Sequence, residues 1–195
     1  MLGASAQGHD LVLASASPRR AELLTSAGFT FTVCPAEVDE TPRPAEAPEP
    51  YVRRVAEAKA RSVAETRRGN GRIVLAADTT VVVGGEMLGK PQDRRDAARM
   101  LHLLSGTVHE VLTGVVVVAG DHEQSQTVRT RVRFLPLSSA EIAWYVESGE
   151  PDGKAGAYAI QGRAARFIDS IDGSWSNVVG LPVATVYLML KKACP

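Results

Sequence analysis

The sequence predicts a mixed α/β sheet domain, and three observations predict it. Short apolar runs alternate with helical patterns along most of the 195 residues. Within 72–83 and again within 111–134, extended runs follow one another without an intervening helix, which argues against a strictly alternating parallel topology. No internal repeat or shift in composition marks a second domain. With 45% hydrophobic residues, one chain of this length buries about 70% of its unfolded surface.

The elements follow in order. LVLAS (11–15) reads as a strand, with Ser17 as N-cap and Pro18 as first residue of a helix. Leu23, Leu24 and Ala27 form its buried side and Gly28 its stop. Residues 34–50 hold five prolines and several acids, which predicts a long functional or mobile loop. Val52, Val55, Ala56 and Val63 form the stripe of a helix over 51–67. RIVLAA and TTVVV are extended, and Gly84-Gly85 turns the chain. Asp93 caps a helix with Ala97, Met100, Leu101 and Leu104 on one face, ended by Gly106. After a strand at 111–120, Val128, Thr130, Val132 and Phe134 alternate with arginines, the period of a half-exposed strand. Ser138 and Glu141 form a capping box before Ile142, Tyr145 and Val146. A Gly-rich loop, a strand at RFIDSI and a helix over 182–192 close the chain.

Lys plus Arg and Asp plus Glu each total 22, a net charge of zero. That excludes a mainly electrostatic nucleic-acid or membrane-surface binder, though not a local cationic pocket. No apolar run approaches the ~20 residues that span a bilayer. Cys34 and Cys194 are far apart and form no C-x-x-C pair, which argues against structural zinc and a disulfide framework and for a reducing, cytoplasmic setting. Residues 1–10 are expected to be a flexible extension ahead of a domain over 11–195.

GGEMLGK (84–90) has P-loop spacing, but Pro91 replaces the Ser or Thr that would hold magnesium, so that chemistry is rejected. Lys90 remains a cation on a turn. SASPRR carries more. With Ser17 as N-cap, Arg19 and Arg20 fall in the first turn, where the helix dipole disfavours cations by ~0.3–1 kcal/mol each. Either a polyanion bound by the backbone, Ser15, Ser17 and both guanidinium groups answers them, or they are solvated on a surface turn. Lys59 sits in the middle of an apolar stripe; it either finds an anion or snorkels along the face. Asp78 interrupts an apolar run, where a carboxylate must be paired, hydrogen-bonded or metal-bound unless it lies in a turn. Glu37, Asp39 and Glu40 add acids in the long loop, which are either a solvated surface or a pattern suited to magnesium beside phosphates. The four histidines match no zinc spacing, and no nucleophile elbow is present.

Seven segments together resemble the Maf family of nucleoside triphosphate pyrophosphatases: LASASPRRAELL, VDE (38–40), YVRRVAEAKA, AADTTVVV with GKP, LSGTVHEVLTGV, DGKAGAYAIQG and IDGSWSNVVGLP. The resemblance implies a mixed-sheet domain with two lobes around a central nucleotide-binding groove. It implies hydrolysis of a nucleoside triphosphate to the monophosphate and pyrophosphate, with Asp78 as proton acceptor. A divalent cation (Mg2+ or Mn2+) on Glu40 and Asp78 and a cytoplasmic setting come with it, as does a homodimer in many members. In the branch acting on dTTP and UTP, specificity is associated with residues matching Arg19, Thr79 and Gln161, and all three are present. Gln161 has the donor and acceptor that a pyrimidine edge requires. Arg20, Lys59 and Lys90, with Ser15 and Ser17 nearby, would hold the triphosphate. Two other readings are a 7-methylguanosine triphosphate pyrophosphatase and a non-catalytic regulator of septum formation. Two departures are the N-terminal extension and Trp175, where tyrosine or phenylalanine is more usual.

Overall fold

A computed structural model describes residues 10–66 and 71–193. The extension expected over 1–10 therefore lies, apart from Asp10, outside the described residues, as does Cys194. Seven strands form one mixed sheet, confirming the predicted class. They are β1 (Leu11–Leu13), β2 (Phe31–Val33), β3 (Ile73–Val83), β4 (Glu86–Leu88), β5 (Val108–Ala119), β6 (His122–Phe134) and β7 (Ile168–Asp172). The helices are α1 (Pro18–Ser26), α2 (Pro48–Ala64), α3 (Arg94–Leu104), α4 (Ser139–Glu147), α5 (Trp175–Val179) and α6 (Val183–Ala193). The order across the sheet is β2-β1-β3-β5-β6-β7, with β4 on β3. β1 runs parallel to β2 and β3, whereas β3 pairs with β4, and β6 with β7, antiparallel.

The described residues divide into two compact units, the first drawn from 10–66, 71–78, 113–128 and 180–193 and the second from 79–112 and 129–179. In the first unit the apolar runs have no polar face because the sheet is covered on both sides. Leu11, Leu13 and Leu75 pack with Leu24 of α1 and Val186 and Met189 of α6. The alternate residues Val12, Val74 and Ala76 pack with Ala56, Ala60 and Val63 of α2. Strand period and helix period thus meet on a definite face.

In the second unit α3 packs on α4. The expected stripe of α3 is buried, Asp93 Oδ1 accepts from Asp96 N–H at 2.7 Å, and the capping box of Ser138 and Glu141 is formed. Gly84 and Gly85, at φ 57° and 85°, make the two-residue turn between β3 and β4. Positive φ at both positions suits the twist of a hairpin. The P-loop lookalike is therefore a hairpin and its second strand.

Three expectations are corrected. α2 begins at Pro48, inside the expected loop: Pro48 and Pro50 fall in the first turn, where no intrahelical N–H is needed. Ser17 precedes α1, but its hydroxyl makes no capping hydrogen bond. Ala27 is exposed, and Leu24 carries the burial of α1.

Candidate functional site

The charged cluster of the first unit is built on the α2 face of β3. Val74, Ala76 and Asp78 lie two residues apart, so their side chains share that face. Lys59 projects from the matching stripe of α2. The two meet, and Lys59 Nζ donates to Asp78 Oδ1 at 2.8 Å. Glu40 Oε1 lies 2.7 Å from the same ammonium. Lys59 is 7% and Asp78 6% exposed, so this is a buried pair with one outer carboxylate. The anion that the apolar stripe demanded is a pair of protein carboxylates.

Arg20 is the second buried cation of the cluster. Its Nε donates to the Gly180 carbonyl at 2.8 Å and its Nη1 to Ser15 Oγ at 3.1 Å. Ser15 Oγ also accepts from Ser17 N–H. The serine and arginine motif is thus organised internally, with Arg20 turned inward and Arg19 half-buried. Burial pushes the Asp78 carboxyl above the ordinary range, and the charges of Lys59 and Arg20 oppose the rise. The same burial lowers both guanidinium groups, with Asp78 acting against it at Arg20 and Glu22 at Arg19.

Glu40 is placed by contacts that periodicity does not reveal. Tyr51 Oη donates to the Glu40 carbonyl at 3.0 Å. Arg54, one turn on, grips Glu46 through Nε at 2.7 Å and Nη2 at 2.8 Å, and Nη2 also donates to the Thr41 carbonyl. Hydrogen bonds from Arg54 and the Arg43 N–H hold the Glu46 carboxyl down at about 2. The proline-rich loop is pinned to α2 at the Glu40 and Thr41 carbonyls and at the Glu46 carboxylate. The i, i+3 spacing of Tyr51 and Arg54 was visible, but a helix pattern does not say what its polar face will hold.

Two carboxylates closing on one ammonium are a hard-oxygen donor pair. They suit a cation such as Mg2+, which takes one or two carboxylates and completes its shell with waters and phosphate oxygens. Among the described residues no group of three or more His, Cys, Asp and Glu side chains could hold a metal. Glu37 and Asp39 therefore add no third ligand.

Thr79, Lys90 and Gln161 belong to the second unit. Thr79 is half-buried in β3, next in sequence to Asp78. Lys90 is exposed and lines a cleft with Gln92, Arg95 and Arg99 at the start of α3. The Gly89 carbonyl accepts from Gly156 N–H at 3.1 Å. Gly156 is required there: φ is +70°, and a Cβ would stand 2.8 Å from Val81 Cγ2. Gln161 is exposed at a turn closed by Gly162 N–H donating to the Ala159 carbonyl at 3.0 Å. Among the described residues no helix is long and apolar enough to cross a membrane.

Residues 10–193 match the family model described as Maf-like protein. The chain belongs to the Maf-like family. Among Maf-like relatives, one from Myxococcus xanthus (strain DK1622) named dTTP/UTP pyrophosphatase is 55% identical, over 94% of this chain and 92% of its own. A dTTP/UTP pyrophosphatase of Symbiobacterium thermophilum is 56% identical over 92% of each chain. The solved structure of the Staphylococcus aureus Ham1 protein aligns with this Maf-like chain over 94% of its length, with a TM-score of 0.52 and 14% identity. That likeness extends the Maf-like fold to a sequence-divergent neighbour.

Proposed function

We propose that this Maf-like protein hydrolyses dTTP, UTP and related pyrimidine nucleotides to the monophosphate and pyrophosphate. The observation that carries the reading is Asp78: a carboxylate buried mid-strand, held by Lys59 and backed by Arg20. The names of relatives more than 50% identical support the pyrimidine preference.

Water attacks the α-phosphorus, a P–O bond forms, and the bond to the departing pyrophosphate breaks. Asp78 takes the water's proton. Lys59 holds Oδ1, leaving Oδ2 for that proton, while burial moves the carboxyl toward a useful basicity. Glu40 and Asp78 would hold Mg2+ or Mn2+, which when bound neutralises phosphate charge and orients the reactants. Arg19 and Lys90, less buried than Arg20 and Lys59, would meet phosphate oxygens, with Ser15 and Ser17 in or beside the turn before α1. Arg20 acts from behind, fixing that turn. Gln161 and Thr79 would read the base.

The biological role that follows is removal of surplus or non-standard pyrimidine nucleotides in the cytoplasm, with the nucleotide as the partner. A hydrolysis panel of dTTP, UTP, dGTP and 7-methylguanosine triphosphate, with products identified, tests the reading. Pyrophosphate release highest with dTTP and UTP is expected. A clear preference for the methylated purine overturns it.

A further inference from the structure

Gln161 is exposed, yet the backbone around it is held at three amides. Tyr145, fully buried on α4, accepts from Ala159 N–H through Oη at 3.1 Å. The same hydroxyl donates to Glu150 Oε1 at 2.9 Å. Glu150 then accepts from Arg163 N–H through Oε2 at 3.0 Å and from Ala164 N–H through Oε1 at 3.3 Å. Glu150 is itself oriented, since its N–H donates to Ser148 Oγ, whose hydroxyl donates to the Tyr145 carbonyl. Gly162 leaves room for this arrangement: a Cβ there would stand 2.4 Å from Glu150 Oε1. One tyrosine and one carboxylate grip the chain two residues before Gln161 and two and three residues after it.

We propose that Tyr145 and Glu150 are positioning residues for base recognition, presetting the Gln161 turn so that its amide meets a pyrimidine edge already ordered. The proposal rests on the role given to Gln161 above. A carboxylate that accepts backbone N–H groups makes charge-assisted hydrogen bonds, stronger than neutral ones. A turn ordered beforehand spares the nucleotide the cost of ordering it, and a side chain meant to discriminate hydrogen-bond patterns needs a fixed origin.

The test compares kcat/KM for dTTP and dGTP in wild type, Gln161→Ala, Glu150→Gln, Tyr145→Phe and the Gln161→Ala/Glu150→Gln double variant. The dTTP:dGTP ratio is expected to fall by about tenfold in each single variant. It should fall no further in the double variant, since residues acting through one another are not additive. A loss equal for both nucleotides in Glu150→Gln and Tyr145→Phe, or full additivity in the double variant, overturns the proposal. An unchanged ratio in Gln161→Ala alone removes the base-reading role of Gln161, and the positioning role falls with it; that variant separates the two failures. Amide exchange in the nucleotide-free wild type needs no variant. Protection of Ala159, Arg163 and Ala164 N–H is expected, and rapid exchange at all three overturns a preset turn.

Discussion

The charged cluster of the first unit buries its charges. Lys59, Asp78 and Arg20 are nearly inaccessible, and each is held by a partner of opposite charge or by a carbonyl. The Gln161 turn of the second unit does the reverse: the side chain is exposed and the backbone beneath it is fixed. Buried polar groups of the second unit also differ in kind. His109 Nε2 lies 2.9 Å from Tyr158 Oη, with the Phe134 and Tyr158 rings edge-on. Its Nδ1 is buried with no hydrogen-bond partner among the described residues. One unit therefore buries charge and the other buries neutral polarity. Chemistry on a proton needs a shifted carboxyl, and hence burial; recognition of a base needs an accessible amide on a stiff support.

Four changes break or sharpen this contrast. The largest effect is expected from Asp78→Asn, with pyrophosphate release from dTTP falling about a thousandfold while the fold is retained. Undiminished release from a folded variant would make the cluster structural and dissolve the contrast.

Lys59→Met comes next. It leaves Asp78 as a buried carboxylate without its ammonium, at a cost of about 3–5 kcal/mol near neutral pH. The ammonium opposes the burial-driven rise of the Asp78 carboxyl, so removing it raises that carboxyl further. The stability deficit should shrink as pH falls and Asp78 is protonated, and the acid limb of any residual kcat/KM should move to higher pH. Denaturant midpoints at pH 5 and 8 and a pH–rate profile measure both.

His109 concerns the second unit. Burial pushes its folded-state value down from 6.5 to about 4. The unfolded chain therefore takes the proton first. The stability is fully present above about pH 6.5, and about 3 kcal/mol is lost as pH falls toward 4. His109→Gln should flatten that slope in urea melts, whatever its effect at pH 8. An unchanged slope would place the acid sensitivity elsewhere.

The smallest effect is expected from Arg54→Lys. A lysine lacks the fork that grips Glu46 twice, so the loop carrying Glu40 loosens. A few-fold loss of turnover, larger at limiting magnesium than at saturation, is expected with little change in melting temperature. A loss independent of metal concentration would detach Arg54 from Glu40.

What was legible in the sequence was local or periodic. The α3 stripe, the capping box of α4 and the alternation of β6 follow from side-chain spacing along one element, and all three are present. β2, β4 and α5 were not expected: at three to five residues each they repeat a side-chain period too few times to stand out, and none opens on an unbroken apolar run as β1 does. Asp78 and Lys59 stood out as charges in apolar patterns, and the structure joins them. Tyr51, Arg54, Tyr145 and Glu150 did not stand out, because a polar residue near a helix end or in a loop has many ordinary uses.

By itself the sequence determined the mixed sheet, the seven motifs and the need for Lys59 and Asp78 to find partners, since an unpaired charge in an apolar stripe is costly wherever it lies. Only the tertiary structure decided that they satisfy one another. It also decided that Arg20 turns inward to Gly180, 160 residues away, and that the support of Gln161 comes from a carboxylate and a hydroxyl behind its backbone. Those pairings depend on which faces meet after folding, and spacing along one chain carries no record of that.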